Sequence, residues 1–388
     1  MKELNLGRLP IKSWCNKPES SAVNQAIILS NHKAVINHVA LMADTHAGMG
    51  MPIGGVIAMK DAVCVNAVGV DISCGVLSAK LHLGAGELSK QVLVDIVHDI
   101  KRTIPMGFNH QKDTKWRKTA EDLLAKHPDL NEEIVTCEAI YGQLGTLGGG
   151  NHFIEFQKDE NGEIWIMLHS GSRNLGHKIA TKYNRIAKSL VGAGAYPRDL
   201  AVLPDDSDEG QEYIAHMNFC IDFSFQNREC MLEDVIQCIH NNVLLKKYLK
   251  PPAQLVNIHH NYANKETHFG EDVWIHRKGA TSAKAGQLGI IPGSMGDNSY
   301  MVEGLGNVDS FESCSHGAGR RMSRRQAKET LSKDAFKQKM SDIVSEDVDK
   351  KHLDESPMAY KDIHTVMSEQ EDLVKIVHTF IPIANIKG

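Results

Sequence analysis

The chain has 388 residues, 42% of them hydrophobic and 23% charged, with 32 glycines and a formal net charge of −5. That is the composition of a folded, turn-rich globular protein, long enough for one large domain or two or three smaller ones. The negative balance excludes a broadly basic nucleic-acid binder and confines any nucleic-acid contact to a local patch.

The opening "MKELNLGRLPIKSW" has no apolar h-region, and no run of 18 apolar residues follows, so neither a signal peptide nor a membrane span is expected. The eight cysteines form no CxxC pair and no disulfide framework, which suits a reducing cytoplasm. "MADTHAG" sets Asp44 and His46 at the end of an apolar run, where a strand ends and presents side chains. "GVDISCG" puts Asp71 and Cys74 three apart between glycines, so one turn aims a carboxylate and a thiolate at a common point. Taken singly, the cysteine reads as a small buried hydrophobe and the aspartate as a cap.

Residues 87–104 read as an amphipathic helix and roughly 114–140 as two further helical pieces. Residues 152–169 read as a β-hairpin turning at Asn161-Gly162, which brings His152 and His169 together at the open end. Counting by twos, His152, Ile154 and Phe156 share a face, as do Trp165, Met167 and His169; whether the two faces coincide depends on the turn register. Either histidine alone reads as bonded to a loop carbonyl. Two together, between "GGGN" and "SGSR", point to metal or phosphate. A mostly helical stretch from about 174 to 248 is interrupted near "AGAYPRDLAVLPDD" and closed by Pro251-Pro252. Short β-rich segments fill 254–311; in "NIHHNY" His259 and His260 alternate, so at most one points inward. "ESCSHGAGRR", residues 312–321, has neither helical nor strand period, and its small residues leave His316 open to something bulky. Helices are expected from about 323 to 380. No repeat or linker divides the chain, and the site candidates are spread along it, so the expectation is a mixed α/β (α+β) fold with residues 1–388 in a single interwoven domain.

Asp71, Cys74 and several histidines together resemble a dinuclear site in which a thiolate bridges two ions. Thiolate with imidazoles points first to zinc, while harder oxygen ligands favour manganese or magnesium, so the metal stays open. The spacing matches no structural zinc motif, which favours a catalytic site.

The segments "GVDISCG", "LGTLGGGNHFIE", "IMLHSGSR", "HHNY", "RKGATSAKAGQLGIIPGSMG", "SCSHGAGR" and the terminal "IKG" resemble the RtcB family of RNA ligases, from about residue 38 to the end. The resemblance implies β-sheets surrounded by helices around a central dinuclear metal and nucleotide cleft. It also implies an enzyme joining RNA 2′,3′-cyclic phosphate or 3′-phosphate ends to 5′-hydroxyl ends with GTP and two manganese ions, in tRNA splicing or RNA repair. By it, His316 is the nucleophile that takes GMP, and the metal ligands are Asp71, Cys74, His152, His169 and His260. The nucleotide pocket would draw on Asn151, Glu155, Asn261, Pro292, Gly293, Ser294, Met295, Ser299, Gly317, Ala318, Gly319 and Lys387. Glu155 and Lys387 would read guanine, Arg173 and Arg320 would hold RNA phosphates, and Asp44 and His46 would stand behind the ligands. Arg321 and Arg324 read instead as surface salt bridges. An archease-like activator is a further implied partner. Two other classes compete. A metal-dependent phosphohydrolase leaves SHGAGR and the penultimate lysine without a task; a non-catalytic RNA-binding protein fits poorly with the negative charge and the lack of RNP-type aromatic runs.

Overall fold

Two β-sheets carry the site. The computed structural model describes residues 1–112, 115–130, 135–191, 197–242, 244–245 and 250–388. One sheet has six strands in the order Lys2–Leu4, Ile11–Ser13, Val35–His46, Ile53–Met59, Glu271–Lys278, Asn261–His268. The other has seven, in the order Gln254–His259, Gly75–Gly84, Glu163–Ser170, Phe153–Lys158, Val374–Lys387, Ser299–Gly304, Leu288–Ile291. Their pairings are antiparallel except that between Ile11–Ser13 and Val35–His46. The strands on either side of His260 belong to different sheets, so the chain crosses from one sheet to the other at that residue. The mixed α/β architecture is the expected one, with helices covering the sheets.

The amphipathic helix spans Lys90–Thr103, capped by the Ser89 side chain, and buries Val92, Leu93, Ile96, Val97 and Ile100 with Leu77, Ile154 and Ile166 of the seven-stranded sheet. The next two pieces are Arg117–Ala125 and Cys137–Tyr141; residues 113–114 and 131–134 of that stretch lie outside the described residues. The helical stretch resolves into Arg173–Leu190 and the 34-residue Asp208–Asn241. Residues 192–196 of its interruption, and 243 and 246–249 near its end, lie outside the described residues.

In the hairpin, Gly162 adopts φ +79°, as the Asn-Gly turn requires. Phe153 pairs with His169, Glu155 with Met167 and Gln157 with Trp165. The two faces left open by the sequence therefore do not coincide: His169 shares its face with Phe153 and Glu155. His152 lies just before the strand and is freed from that alternation.

The expectation of helices from 323 to 380 needs correction. Only three short ones form, Arg324–Thr330, Lys333–Lys339 and Ile363–Ser368, and Val374–Lys387 is a 14-residue strand. Its β-branched run "VKIVHTFIPIANIK" inserts between two strands of the seven-stranded sheet, and Pro382 is tolerated there because the register shifts between Pro382 and Ala384.

Candidate active site

The turn Asp71–Cys74 enters strand Gly75–Gly84 with Ser73 at φ +59°. Ser73 N–H donates to the Asn261 carbonyl at 2.7 Å and His260 N–H to that of Cys74 at 2.9 Å. The turn is thus pinned to the point where the chain changes sheets. The open end of the hairpin closes over it. Cys74 Sγ lies 3.4 Å from His152 Nε2 and 3.2 Å from His169 Nε2; His152 Nε2 lies 3.1 Å from Asp71 Oδ2, and His169 Nε2 3.4 Å from His260 Nε2. Two ligand-type triads result, Asp71–Cys74–His152 and Cys74–His169–His260, with Cys74 common to both.

The protonation pattern follows from the outer hydrogen bonds. His152 Nδ1 meets the Leu147 carbonyl at 2.9 Å and His169 Nδ1 that of Asn151 at 3.2 Å. A carbonyl only accepts, so each Nδ1 carries the hydrogen and each Nε2 turns a lone pair inward. Those lone pairs face a carboxylate oxygen, a sulfur and another imidazole. Burial holds His169 and His260 well below the usual imidazole range, which disfavours a proton as the missing positive charge. A metal cation bound by sulfur, nitrogen and oxygen donors fits this arrangement.

His316 follows the short strand Ser313–Ser315, which pairs with Ala280–Ser282. Asp44, fully buried at the end of its strand, receives three bonds on Oδ2: from His316 Nδ1 at 2.6 Å, His316 N–H at 3.1 Å and Gly317 N–H at 3.3 Å. Burial pushes the Asp44 carboxyl up, but the His316 imidazole outweighs it and the net displacement is downward. With Nδ1 on the Asp44 carboxylate, Nε2 is the ring nitrogen left clear of it. Gly319 at φ +71° lets the loop pass Asp44, because a Cβ there would sit 2.2 Å from the Asp44 carbonyl oxygen. The His316 ring meets His260 edge to face, with centroids 4.7 Å apart. His46 accompanies Asp44, its pKa lowered to about 4 by burial.

On its other side His316 faces a cavity of about 320 Å³. Asn151, Glu155, His169, Pro292, Gly293, Ser294, Met295, Gly317, Ala318, Gly319, Arg320 and Lys387 line it, with His46 and His316. The imidazole thus stands between the ligand cluster and a nucleotide-sized hollow.

A family model described as tRNA-splicing ligase RtcB matches residues 25–136 and 129–388. RNA-splicing ligase RtcB of Escherichia coli K12 is 38% identical over 407 residues, spanning 98% of this chain and 97% of that protein. The chain belongs to the RtcB family. More distant members include the tRNA-splicing ligase RtcB of Nanoarchaeum equitans, 30% identical across 95% of this chain and 92% of its own, and the RNA-splicing ligase RtcB of Mycobacterium tuberculosis, 30% identical across 94% and 100%.

Against the RtcB expectations, most residues converge and a few stand elsewhere. Asn261 does not line the cavity: its amide donates to the Asp71 carbonyl at 3.0 Å and accepts from Gly279 N–H at 2.8 Å, so it braces the metal-side turn. Ser299 lies behind the cavity wall and accepts from Gly293 N–H at 3.1 Å. Arg173 is turned inward, bonded to Thr146 Oγ1 at 3.2 Å and the Gly107 carbonyl at 3.1 Å. Arg320 lines the cavity with its guanidinium on the Asp354 carbonyl at 2.7 Å. Arg324 is exposed and makes the salt bridges expected of it. It forms part of the cavity wall, bonded to Asp354 at 2.8 Å and to Glu355. Arg321 is exposed and bonds the Met358 carbonyl rather than a carboxylate. The sequence reading missed Phe153, Glu355, Tyr360 and Asn385, all in the wall. Glu355 Oε2 accepts from Lys387 Nζ at 2.9 Å, and Asn385 Nδ2 donates to Glu155 Oε2 at 2.7 Å. Asn385 alone had a signal, its place two residues before Lys387 on a strand.

Proposed function

We propose that this chain is a GTP-dependent RNA ligase that joins RNA 3′-phosphate or 2′,3′-cyclic phosphate ends to 5′-hydroxyl ends through His316, with residues 1–388 acting as one interwoven catalytic domain. The observation that carries the reading is His316 itself: its Nδ1 is spent on Asp44, and its Nε2 is left between the ligand cluster and the cavity. Nε2 attacks the α-phosphorus of GTP, the N–P bond forms as pyrophosphate leaves, and Asp44 balances the charge gained by the imidazole. GMP passes from Nε2 to the RNA 3′-phosphate, making a diphosphate. The 5′-hydroxyl oxygen then attacks the 3′-phosphorus and GMP departs. A cyclic phosphate is first hydrolysed to the 3′-phosphate in the same site.

Asp71, Cys74 and His152 would hold one manganese ion and Cys74, His169 and His260 the other, and the ions supply charge neutralisation at phosphorus when bound. Glu155 at the cavity wall supports guanine recognition, because a carboxylate accepts from the N1–H and N2–H pair that adenine lacks. Lys387, paired with Glu355, closes the same wall. RNA is the substrate; an archease-like protein is the activator the family suggests. The described cysteines are all free, which supports a reducing, cytoplasmic setting. Among the described residues no helix is long and apolar enough to cross a membrane. Incubation with labelled GTP and manganese tests the reading: wild type takes up an acid-labile label, and His316→Ala takes up none. Label retained in the variant refutes the assignment.

A further inference from the structure

On the opposite side of the ligand turn lies a second hollow, a groove of about 510 Å³ bordered by Met49 and Val70 and by one face of helix Arg173–Leu190. Val70 is the neighbour of Asp71, whose side chain is about a third exposed (34%), so the groove abuts the mouth of the ligand cluster. The helix begins four residues after His169 and runs "RNLGHKIATKYNRIAKSL", with five lysines and arginines and no carboxylate in 18 residues. The whole chain carries more acidic than basic residues, 48 against 43. Positive charge is therefore concentrated on this helix against the balance of the molecule.

Arg185, Lys188 and Arg198 supply the cations of the groove, and no carboxylate lines it among the described residues. Lys188 is paired with Asp199 at 2.7 Å, but neither Arg185 nor Arg198 has an ion-pair partner among the described residues, and both are exposed. Two exposed unpaired arginines, beside an Asp199 carboxylate already taken up by Lys188, are a site for phosphate. Apart from the His177 imidazole the groove has no aromatic side chain among its described lining, so it offers little stacking for unpaired bases. From His177 to Lys188 the helix extends about 16 Å at 1.5 Å per residue. One nucleic-acid strand presents roughly five phosphates over that length.

We infer that the groove along helix Arg173–Leu190 is an RNA-backbone track, binding phosphates of the strand that leads away from the ligand cluster, without regard to base sequence. The inference rests on the proposed ligase reading for the identity of the polyanion. It also relocates the RNA contact: Arg173, turned inward, anchors the start of the helix, and Arg185 and Arg198 meet the RNA.

Binding of a 3′-phosphorylated 20-nucleotide RNA, followed by fluorescence anisotropy at several salt concentrations, tests the track without needing ligation. Arg185→Ala combined with Arg198→Ala is expected to weaken binding about tenfold near 0.1 M salt. The slope of log affinity against log salt should become shallower by about 0.7–0.9 per lost contact. Lys178→Ala, on the same helix but outside the groove, should change binding little. GMP labelling of the double variant with GTP and manganese alone should match wild type, which also verifies its fold. Unchanged affinity and slope in a double variant that still labels overturn the track, as does an equal loss in Lys178→Ala, which would mean diffuse attraction. Should wild type take no GMP label while the double variant still loses RNA binding, the ligase reading fails and the track stands.

Discussion

Among the described residues, two largely buried clusters of metal-ligand residue types are chemically opposite. One is Asp71, Cys74, His152, His169 and His260; the other is Glu266 and His268, with Glu312 beside them. In the second, Arg277 lies across the strand pair and uses its whole fork. It meets both oxygens of Glu266, Tyr262 OH at 3.1 Å, Ser313 Oγ at 2.9 Å and the Phe311 carbonyl at 3.0 Å. Burial pushes Glu266 up, but His268 and Arg277 outweigh it and hold the carboxyl well below the usual range. The cationic half of that cluster is already built into the chain. Arg173 and Arg228 act on Asp71 and Cys74 of the first cluster from outside it, but neither guanidinium bonds its ligand atoms, whose lone pairs converge on one another. A ligand-rich cluster thus fits a metal where the fold places no cation on its donors, and is a structural ion pair where the fold supplies one.

The sharpest way to break this contrast is at Cys74, the sulfur common to both triads. Cys74→Ser should weaken both manganese ions together and lower ligation by several orders of magnitude, because a shared ligand cannot be lost from one site alone. Calorimetric titration with manganese decides it: one site intact and one lost would make Cys74 a terminal ligand. Removing Arg277 probes the other cluster. Arg277→Leu strands a buried carboxylate and should cost roughly 3–5 kcal/mol of stability in urea unfolding, with manganese binding per folded molecule unchanged. His169→Ala should do the reverse, leaving metal-free stability within about 1 kcal/mol of wild type while removing the stabilisation that manganese confers. If the two variants behaved alike, the distinction between the clusters would fall.

How much of this was legible in the sequence depended on whether a residue's neighbours were local. Asp71 and Cys74 share a turn, His152 and His169 share a hairpin, and Asp44 closes an apolar run, so short-range periodicity brought each into view. Strand alternation allowed only one of His259 and His260 to point inward and the family resemblance chose His260; the structure turns His259 towards Phe225 and Tyr262 instead. Glu355 ends the short 3-10 helix Leu353–Glu355 and Tyr360 follows another, and they meet Lys387 and Arg320 only through tertiary packing, which no period encodes. Arg324 is the surface salt bridge expected, but its place in the cavity wall was not legible because its partners, Asp354 and Glu355, lie 30 and 31 positions away. Residues 374–380 of the final strand were mistaken for helix because their pairing partners lie far back in the chain, while the apolar "FIPIANI" that follows reads as a strand from the sequence.

Glu155 falls between the two clusters, a buried carboxylate with neither a guanidinium nor a ligand role. Gln157 and Asn385 donate amide hydrogens to it, and Lys387 and Asp297 are the charged groups that act on it from neighbouring elements. Burial dominates and raises its pKa from 4.5 to about 7. The folded protein therefore holds a proton that the unfolded chain has released between those values, so the contribution of this group to stability is complete below about pH 4.5 and fades as pH rises through 7. Guanine recognition runs the other way, since only the ionised carboxyl accepts from both base donors. Affinity for GTP should fall as pH drops below 7, while stability rises. Glu155→Gln removes the titration: its unfolding free energy should lose the downward slope between pH 5 and 8, and its GTP affinity should become flat with pH over the same range. At pH 8 that affinity should lie below wild type by about 1.5–3 kcal/mol, the typical worth of a hydrogen bond to a charged group. Preference for GTP over ATP should narrow accordingly in competitive GMP and AMP labelling, and removal of Lys387 and Gly388 should narrow it in the same direction. Unchanged discrimination at pH 8 in both variants would place the reading of guanine on another wall of the cavity.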